Sequence, residues 1–174
     1  MEERDILRGK KVLIVDDEPD VLETLEEMLS VCLIDKAHDF AAGKKFLDKG
    51  TYDAAIFDIM GVRGYELLRL ATERGIPVLM LTAHALSPDN LIKSIKEGAQ
   101  SYVPKDKLSD LPAFLRDMLE APHKGTQKQA RWFSRLRPFF DKQFGPGWRE
   151  KDQEFWRDFD SKRVPSKKDL EKML

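Results

Sequence analysis

The sequence predicts an α/β fold: a doubly wound, five-stranded parallel sheet followed by a C-terminal α-helical extension. Three observations lead there. Short apolar runs recur along roughly the first 120 residues, each followed by a stretch with apolar residues at helical spacing. A run of four apolar residues that stops at a carboxylate, as in Ala54-Ala55-Ile56-Phe57-Asp58, reads as a strand buried on both faces, the habit of parallel sheets covered by helices. Repeated five times, the βα alternation demands right-handed crossovers with helices on both faces of the sheet.

Val12-Leu13-Ile14-Val15 is the first strand and ends abruptly in Asp16-Asp17. Glu18-Pro19-Asp20 opens a helix, with Pro19 in the first turn where its missing N–H does no harm. Val21, Leu22, Leu25, Met28 and Leu29 carry that helix to about Val31. Leu33-Ile34 begin the second strand, and Ala41, Ala42, Phe46 and Leu47 mark a second helix closed by Gly50. Residues 53–57 form the third strand, and residues 64–70 start a third helix that stops at Gly75. Residues 76–81 make the fourth strand, ending in Thr82. Ser87 as N-cap and Pro88 at the first helical position start a fourth helix, running through Leu91, Ile92 and Ile95 to Gly98. Ser101-Tyr102-Val103 is a brief fifth strand reaching Pro104-Lys105, and Leu111, Phe114, Leu115, Met118 and Leu119 form a fifth helix that ends before Pro122.

With 174 residues, 41% hydrophobic and 35% charged, the chain has room for one ordinary domain and a substantial appendage. No stretch approaches the roughly 20 apolar residues of a membrane helix, and the N-terminus lacks the apolar core of a signal peptide, so a cytoplasmic protein with no membrane partner is expected. Cys32 is the single cysteine and cannot form an internal disulfide; among Leu29, Val31 and Leu33 it reads as a buried structural thiol. The net charge of −1 conceals an asymmetry. Residues 1–119 carry 16 Lys and Arg against 22 Asp and Glu, whereas residues 120–174 carry 14 against 9, giving −6 and +5.

Three predicted strands present polar residues at one sheet edge: Asp16 and Asp17, Asp58, and Thr82, with Lys105 after the fifth strand. Ligands of open α/β sheets bind beyond the carboxyl ends of the strands. Carboxylates converging within about 5 Å repel by roughly 3 kcal/mol per pair at an effective dielectric of 20. Such a cluster calls for a cation, and hard oxygen ligands favour Mg²⁺, which takes one or two carboxylates, several waters and a phosphate. Singly, each residue has a plainer reading: Asp16-Asp17 as a helix cap, Thr82 as a strand end, Tyr102 as a packing aromatic, and His38 and His123 as solvated side chains with no metal-ligand spacing.

Together, the acidic pair, the central Asp, Thr82-Ala83 and the late Lys resemble the receiver domain of bacterial two-component response regulators, over about residues 10–120. The resemblance implies a flavodoxin-like strand order 2-1-3-4-5 and a phosphoryl group accepted on Asp58, by in-line attack, from a histidine kinase or phosphotransfer protein. It implies Mg²⁺ held by Asp16, Asp17, Asp58 and the backbone carbonyl of Met60. Lys105 is then the contact to the phosphoryl oxygens, Thr82 the hydroxyl that moves to bind them, and Tyr102 the aromatic whose rotation accompanies that move. His84 matches a position that tunes hydrolysis of the acyl phosphate. Phosphoryl transfer needs positioning and charge neutralisation more than covalent assistance, and a metal with one ammonium supplies both. The chain would thus be no ordinary enzyme but a phosphoacceptor that assists its own phosphotransfer and dephosphorylation.

This sequence departs from the family at two places. Pro104 precedes Lys105 and Asp106 follows it, where the family has Lys then a cis-proline; a trans Lys105-Asp106 bond is expected, since a non-proline cis bond costs about 2.5–4 kcal/mol. The loop Ile59-Met60-Gly61-Val62-Arg63-Gly64 is about two residues shorter than is common and lacks a Met-Pro pair; Gly61 and Gly64 would let it turn sharply.

Residues 121–174 form the basic, aromatic-rich helical extension. Trp132, Phe133, Leu136, Phe139, Phe140 and Phe144 make an apolar helical stripe, which Pro138 is expected to kink or interrupt. After the turn Gly145-Pro146-Gly147, Trp148, Phe155, Trp156 and Phe159 make a second stripe. Ser166 with Asp169 resembles a capping box opening a last short helix through Leu170, Met173 and Leu174. These helices are expected to pack on the receiver or on one another, ahead of a groove for a partner helix; nucleic acid is the least favoured occupant, because +5 with 9 acids mixed in is a weak footprint.

The function read here is that of a Mg²⁺-dependent response regulator, phosphorylated on Asp58, that switches its surface to control a downstream protein or its own assembly as a homodimer. A phosphorylation-independent pseudo-receiver that docks proteins is the alternative, motivated by Asp106 and the short loop. An aspartate-nucleophile phosphohydrolase would need a second Asp two residues after the first, where Met60 stands.

Overall fold

Five parallel strands in the order β2-β1-β3-β4-β5 carry the molecule, which is seen here as a computed structural model describing residues 5–83, 86–120 and 128–163. The elements alternate as expected: β1 Lys11–Val15, α1 Pro19–Met28, β2 Leu33–Ala37, α2 Phe40–Lys49, β3 Ala54–Asp58, α3 Gly64–Glu73, β4 Val78–Thr82, α4 Pro88–Lys96, β5 Ser101–Pro104 and α5 Leu111–Leu119. Two further helices follow, α6 Lys128–Phe144 and α7 Gln153–Arg163. Every residue of β3 and β4 is buried, as the unbroken apolar runs require of central strands covered on both faces. Of the two helix starts read from the sequence, the one at Ser87 carries a side-chain cap and the one at Glu18 does not, while α2 is capped by Asp39. Ser87 Oγ accepts the Asn90 N–H at 3.1 Å, and Asp39 Oδ1 accepts the Ala42 N–H at 2.8 Å.

Some boundaries differ from expectation for local reasons. Helix α1 stops at Met28 rather than near Val31, because Leu29 leaves helical geometry and the Cys32 N–H turns back onto the Leu29 carbonyl. Strand β4 begins at Val78 rather than residue 76, because the Ile76 N–H is spent on the Ala71 carbonyl, closing α3. Strand β3 runs one residue further than expected and takes Asp58 into the ladder. A 3-10 turn over Lys105–Asp110, too short for any periodicity to announce, joins β5 to α5.

Helix α6 runs unbroken through Pro138, contrary to the expected interruption. The buried Trp132, Phe133 and Leu136 before the proline and the buried Phe140 after it hold one face of the helix against the same core, while Pro138 itself faces solvent. The helix lies on α5 and β5. Its aromatic residues, with Trp156 and Phe159 of α7, are continuous with the hydrophobic core under the sheet. Asp117, buried on α5, pairs with Arg135 at 2.8 Å and Arg131 at 3.9 Å, fastening α6 in place. The expected short helix after Ser166, together with His84 and His123, lies outside the described residues.

Candidate functional site at the carboxyl edge of the sheet

Strand register builds the site. Val15 pairs with Phe57, so Asp16, just past the end of β1, and Asp58, the last residue of β3, stand side by side at the edge. Asp58 pairs with Leu81 and Thr82 with Pro104, which sets Thr82 and Lys105 at the same edge. Carboxylate oxygens of Asp16, Asp17 and Asp58 all lie within 4.8 Å of one another. Asp16 and Asp58 are buried and Asp17 is exposed, so the cluster opens to solvent on one side.

Lys105 arrives in this cluster although Asp106, not proline, follows it. Its Nζ stands 2.9 Å from Asp16 Oδ2, 3.4 Å from Asp58 Oδ1 and 3.5 Å from Glu18 Oε1. No peptide bond among the described residues is cis, in keeping with the trans Lys105-Asp106 bond expected. Burial raises the Asp58 carboxyl to about 7, and the neighbouring Asp16 charge adds to that, against the pull of Lys105. Asp16 is raised as well, by burial first, while the Glu18 N–H at 2.9 Å and Lys105 work the other way. For Lys105, burial acts to lower its affinity for a proton, but Asp16, Asp58 and Glu18 outweigh it and hold the ammonium above its ordinary value. One ammonium among these carboxylates leaves the site short of positive charge.

The donor set fits a hard divalent cation. Three carboxylates with oxygens this close, two of them buried, match the oxygen-only coordination that Mg²⁺ takes, and among the described residues no sulfur or imidazole ligand joins them.

The short loop after β3 reaches the site by means of its glycines. Gly61 adopts φ +86°, and a β-carbon there would strike the Asp17 carboxylate, standing 2.7 Å from Cγ. At Gly64 a β-carbon would collide with the Asp58 carbonyl and lie 2.9 Å from Ile59 Cα. Arg63 between them takes the left-handed conformation at φ 54°, its guanidinium 4.2 Å from the Phe40 ring and ion-paired with Glu66. Met60 leaves its side chain 54% exposed beside Asp58.

Thr82 is buried and hydrogen-bonds with the Tyr102 hydroxyl, which also accepts the Ser87 N–H at 3.4 Å. Tyr102 is fully buried, its ring packed against Phe140 of α6.

Asp16, Asp17, Asp58, Thr82 and Lys105 thus gather at one edge, with Tyr102 one layer behind. Sequence reasoning passed over Glu18, although Glu18-Pro19 directly follows the acidic pair. It read Gly61 and Gly64 as turn formers only, because the nearness of the backbone to Asp17 and to the Asp58 carbonyl is a tertiary fact.

Comparison with known proteins gives one consistent result. Residues 12–116 match the family described as response regulator receiver domain. The two-component response regulator ARR18 of Arabidopsis thaliana is 30% identical over 136 residues, covering 75% of this chain and 20% of that protein. Response regulator GtcR of Aneurinibacillus migulanus is 32% identical over 102 residues, covering 56% of this chain and 42% of that protein. The chain therefore spans less than half the length of either. A CheY-like response regulator receiver domain protein from Methanospirillum hungatei JF-1 superposes with a TM-score of 0.58 at 27% identity, over 64% of this chain and 94% of that one. A response regulator receiver domain protein from Clostridium thermocellum superposes at 0.56 with 26% identity, over 63% of this chain and 94% of that one.

Proposed function

Since this chain belongs to the response regulator receiver domain family, we propose that Asp58 is its phosphoacceptor and that residues 121–174 are an extension through which, or beside which, the phosphorylated receiver acts. The observation that carries this reading is the ion-pair fork of Lys105, 2.9 Å from Asp16 and 3.4 Å from Asp58, beside three clustered carboxylates. An ammonium beside the carboxylates supports this reading, because phosphoryl oxygens gathering on Asp58 would need a positive charge next to them.

In the proposed step an Asp58 carboxylate oxygen attacks the phosphorus of a phosphohistidine on a histidine kinase or phosphotransfer protein. The new P–O bond forms in line as the P–N bond breaks, and the imidazole leaves with the electron pair. Asp16, Asp17, Asp58 and the Met60 carbonyl would hold Mg²⁺, which when bound neutralises charge on the transferring group. Lys105 contacts a phosphoryl oxygen from the β5 side, and Thr82 offers its hydroxyl to another. Burial of Asp58 keeps bulk water from the acyl phosphate, and solvent reaches the site on the Asp17 side, from which hydrolysis would proceed.

Among the described residues no helix is long and apolar enough to cross a membrane; the phosphoacceptor reading carries a cytoplasmic location, a downstream protein or a second copy of the chain as output, and no role for nucleic acid. The docking-only alternative drew on Asp106 and the short loop, and neither feature keeps Lys105 away from the carboxylates.

Intact mass after incubation with Mg²⁺ and a small phosphodonor tests the reading, with size-exclusion elution in parallel. One added phosphoryl group in the native chain and none in Asp58→Asn is the expected result. An unmodified native chain that also fails to bind Mg²⁺ would overturn it.

A further inference from the structure

Arg63 is the one non-glycine residue, among the described residues, that holds a positive φ, at 54°. A side chain in the left-handed region persists only where its surroundings over-determine it, and such outliers gather at functional sites. Two contacts hold Arg63 there. Its guanidinium lies 4.2 Å from the centre of the Phe40 ring, and its Nε donates to Glu66 Oε1 at 3.1 Å while a second nitrogen donates to the other carboxylate oxygen. Phe40 is the first residue of α2 and Glu66 stands in the first turn of α3, so one side chain ties the starts of two helices together.

The turn tied in this way borders the acidic cluster. Val62, just before Arg63, is fully buried, and the Gly64 N–H closes the turn onto the Ile59 carbonyl at 3.2 Å. Gly61 lies against the Asp17 carboxylate. Met60, between Ile59 and Gly61, therefore belongs to a segment pinned both by the burial of Val62 and by the reach of Arg63 to α2.

Divalent cations differ in what they ask of such a turn. Mg²⁺ holds a near-octahedral set at about 2.0–2.1 Å, whereas Ca²⁺ takes about 6–8 oxygens at about 2.3–2.6 Å, and the rigidity of the ligand set helps decide between them. Admitting the larger ion requires the Met60 carbonyl and the carboxylates to spread by a few tenths of an ångström. Asp58 is buried in the sheet and Gly61 already abuts Asp17, so the turn itself has to retreat from the cluster. The contacts of Arg63 to Phe40 and Glu66 oppose that retreat.

We propose that Arg63 is a positioning residue for the metal site and sets its preference for Mg²⁺ over Ca²⁺, with Phe40 as its platform. This rests on Asp16, Asp17, Asp58 and the Met60 carbonyl being the metal ligands. Arg63 ligates nothing itself: its guanidinium is engaged by Phe40 and Glu66, and it acts through the turn that carries Met60.

The experiment titrates the full chain with Mg²⁺ and, separately, with Ca²⁺ by isothermal titration calorimetry, and reads the ratio of the two affinities. A loss of stability alone lowers both affinities together and leaves the ratio where it was. The native chain is expected to favour Mg²⁺. Phe40→Leu should lower the ratio by roughly threefold, the size of an exposed cation–π contact. Arg63→Gly removes the side chain and lets the backbone leave the left-handed region, and should lower the ratio by roughly tenfold; Phe40→Leu serves if this variant does not fold. Phe40→Tyr keeps the aromatic face and should hold the native ratio within about twofold. Lys93→Met removes a cation 4.2 Å from the Tyr65 ring, the same kind of contact away from the turn, and should also leave the ratio within about twofold. An unchanged ratio in Phe40→Leu and Arg63→Gly, an equal drop in Lys93→Met, or a native chain that binds Ca²⁺ as tightly as Mg²⁺ overturns the proposal and leaves the phosphoacceptor reading standing. A native chain that binds neither ion overturns the proposal, and if it also gains no phosphoryl group by mass, the phosphoacceptor reading falls with it.

Discussion

The backbone at Gly61 lies so close to Asp17 that a methyl group there would overlap the carboxylate, standing 2.7 Å from its Cγ. A loop about two residues shorter than the family norm thereby closes over the acidic cluster, and it does so only because this position carries no side chain. The residue just before it, Met60, is the one whose carbonyl is proposed to complete the metal site. Loop length and metal geometry are thus one constraint.

Gly61→Ala should therefore weaken Mg²⁺ binding by tenfold or so, a size typical of changes to groups that orient metal ligands. Backbone strain alone would not do this. Gly75 also has positive φ, at 72°, with nothing within 4 Å of a β-carbon, so Gly75→Ala carries the strain without the collision. Isothermal titration of both variants with Mg²⁺ separates the two causes: equal affinities would refute the steric argument.

Asp58→Asn should stabilise the metal-free protein. Its carboxylate shares a 4.8 Å cluster with Asp16 and Asp17, and each such pair repels by roughly 3 kcal/mol at an effective dielectric of 20, partly offset by Lys105. A gain of about 1–3 kcal/mol in urea unfolding with chelator present is expected, as for other sites where function holds like charges together. Saturating Mg²⁺ should shrink the difference, because the ion neutralises the same repulsion in the native chain. A variant less stable than the native chain under chelation would contradict this account.

Much of this was legible because apolar runs buried on both faces cannot be mistaken for amphipathic ones. Ala54–Asp58 and Val78–Thr82 announced central strands, and the polar residues ending them, Asp58 and Thr82, announced the edge. The convergence of Lys105 was legible only through resemblance, since nothing local says that a residue after the last strand turns inward to Asp16. Pro138 misled because propensity is local, whereas the ring packing of Phe133 and Phe140 on either side is tertiary. Tyr102 could be read as a packing aromatic, but what it packs against was out of reach for the same reason: Phe140 lies 38 positions further along the chain.

Strong acid should loosen the N-terminal segment. Arg116 on α5 holds Asp5 through a two-pronged contact at 3.0 and 3.2 Å, and that hydrogen bond, with the Leu7 N–H, lowers the Asp5 carboxyl to about 2. A carboxyl lowered on folding stabilises the native state above its unfolded value, near 3.8, and that stability is lost as pH falls through about 2. Solvent exposure keeps the contribution to about 0.5–1 kcal/mol. Asp5→Asn should thus be less stable than the native chain at pH 6, with the gap closing below about pH 3 in urea titrations; a gap independent of pH would place its origin elsewhere.

Receiver and extension should unfold together. Phe133 is fully buried, with ring contacts to Trp132, Phe140, Trp156 and Phe159, and this cluster joins the core beneath the sheet. Tryptophan emission reports only the extension, while far-UV circular dichroism is dominated by the sheet and its five flanking helices. In a single cooperative unit the two urea transitions coincide. Phe133→Ala should cost roughly 3–5 kcal/mol and move both midpoints by the same amount. An extension that packed as an independent appendage would instead lose its tryptophan signal at lower urea and leave the dichroism midpoint where it was, so one pair of titrations decides whether the α6–α7 pair is part of the receiver's own core.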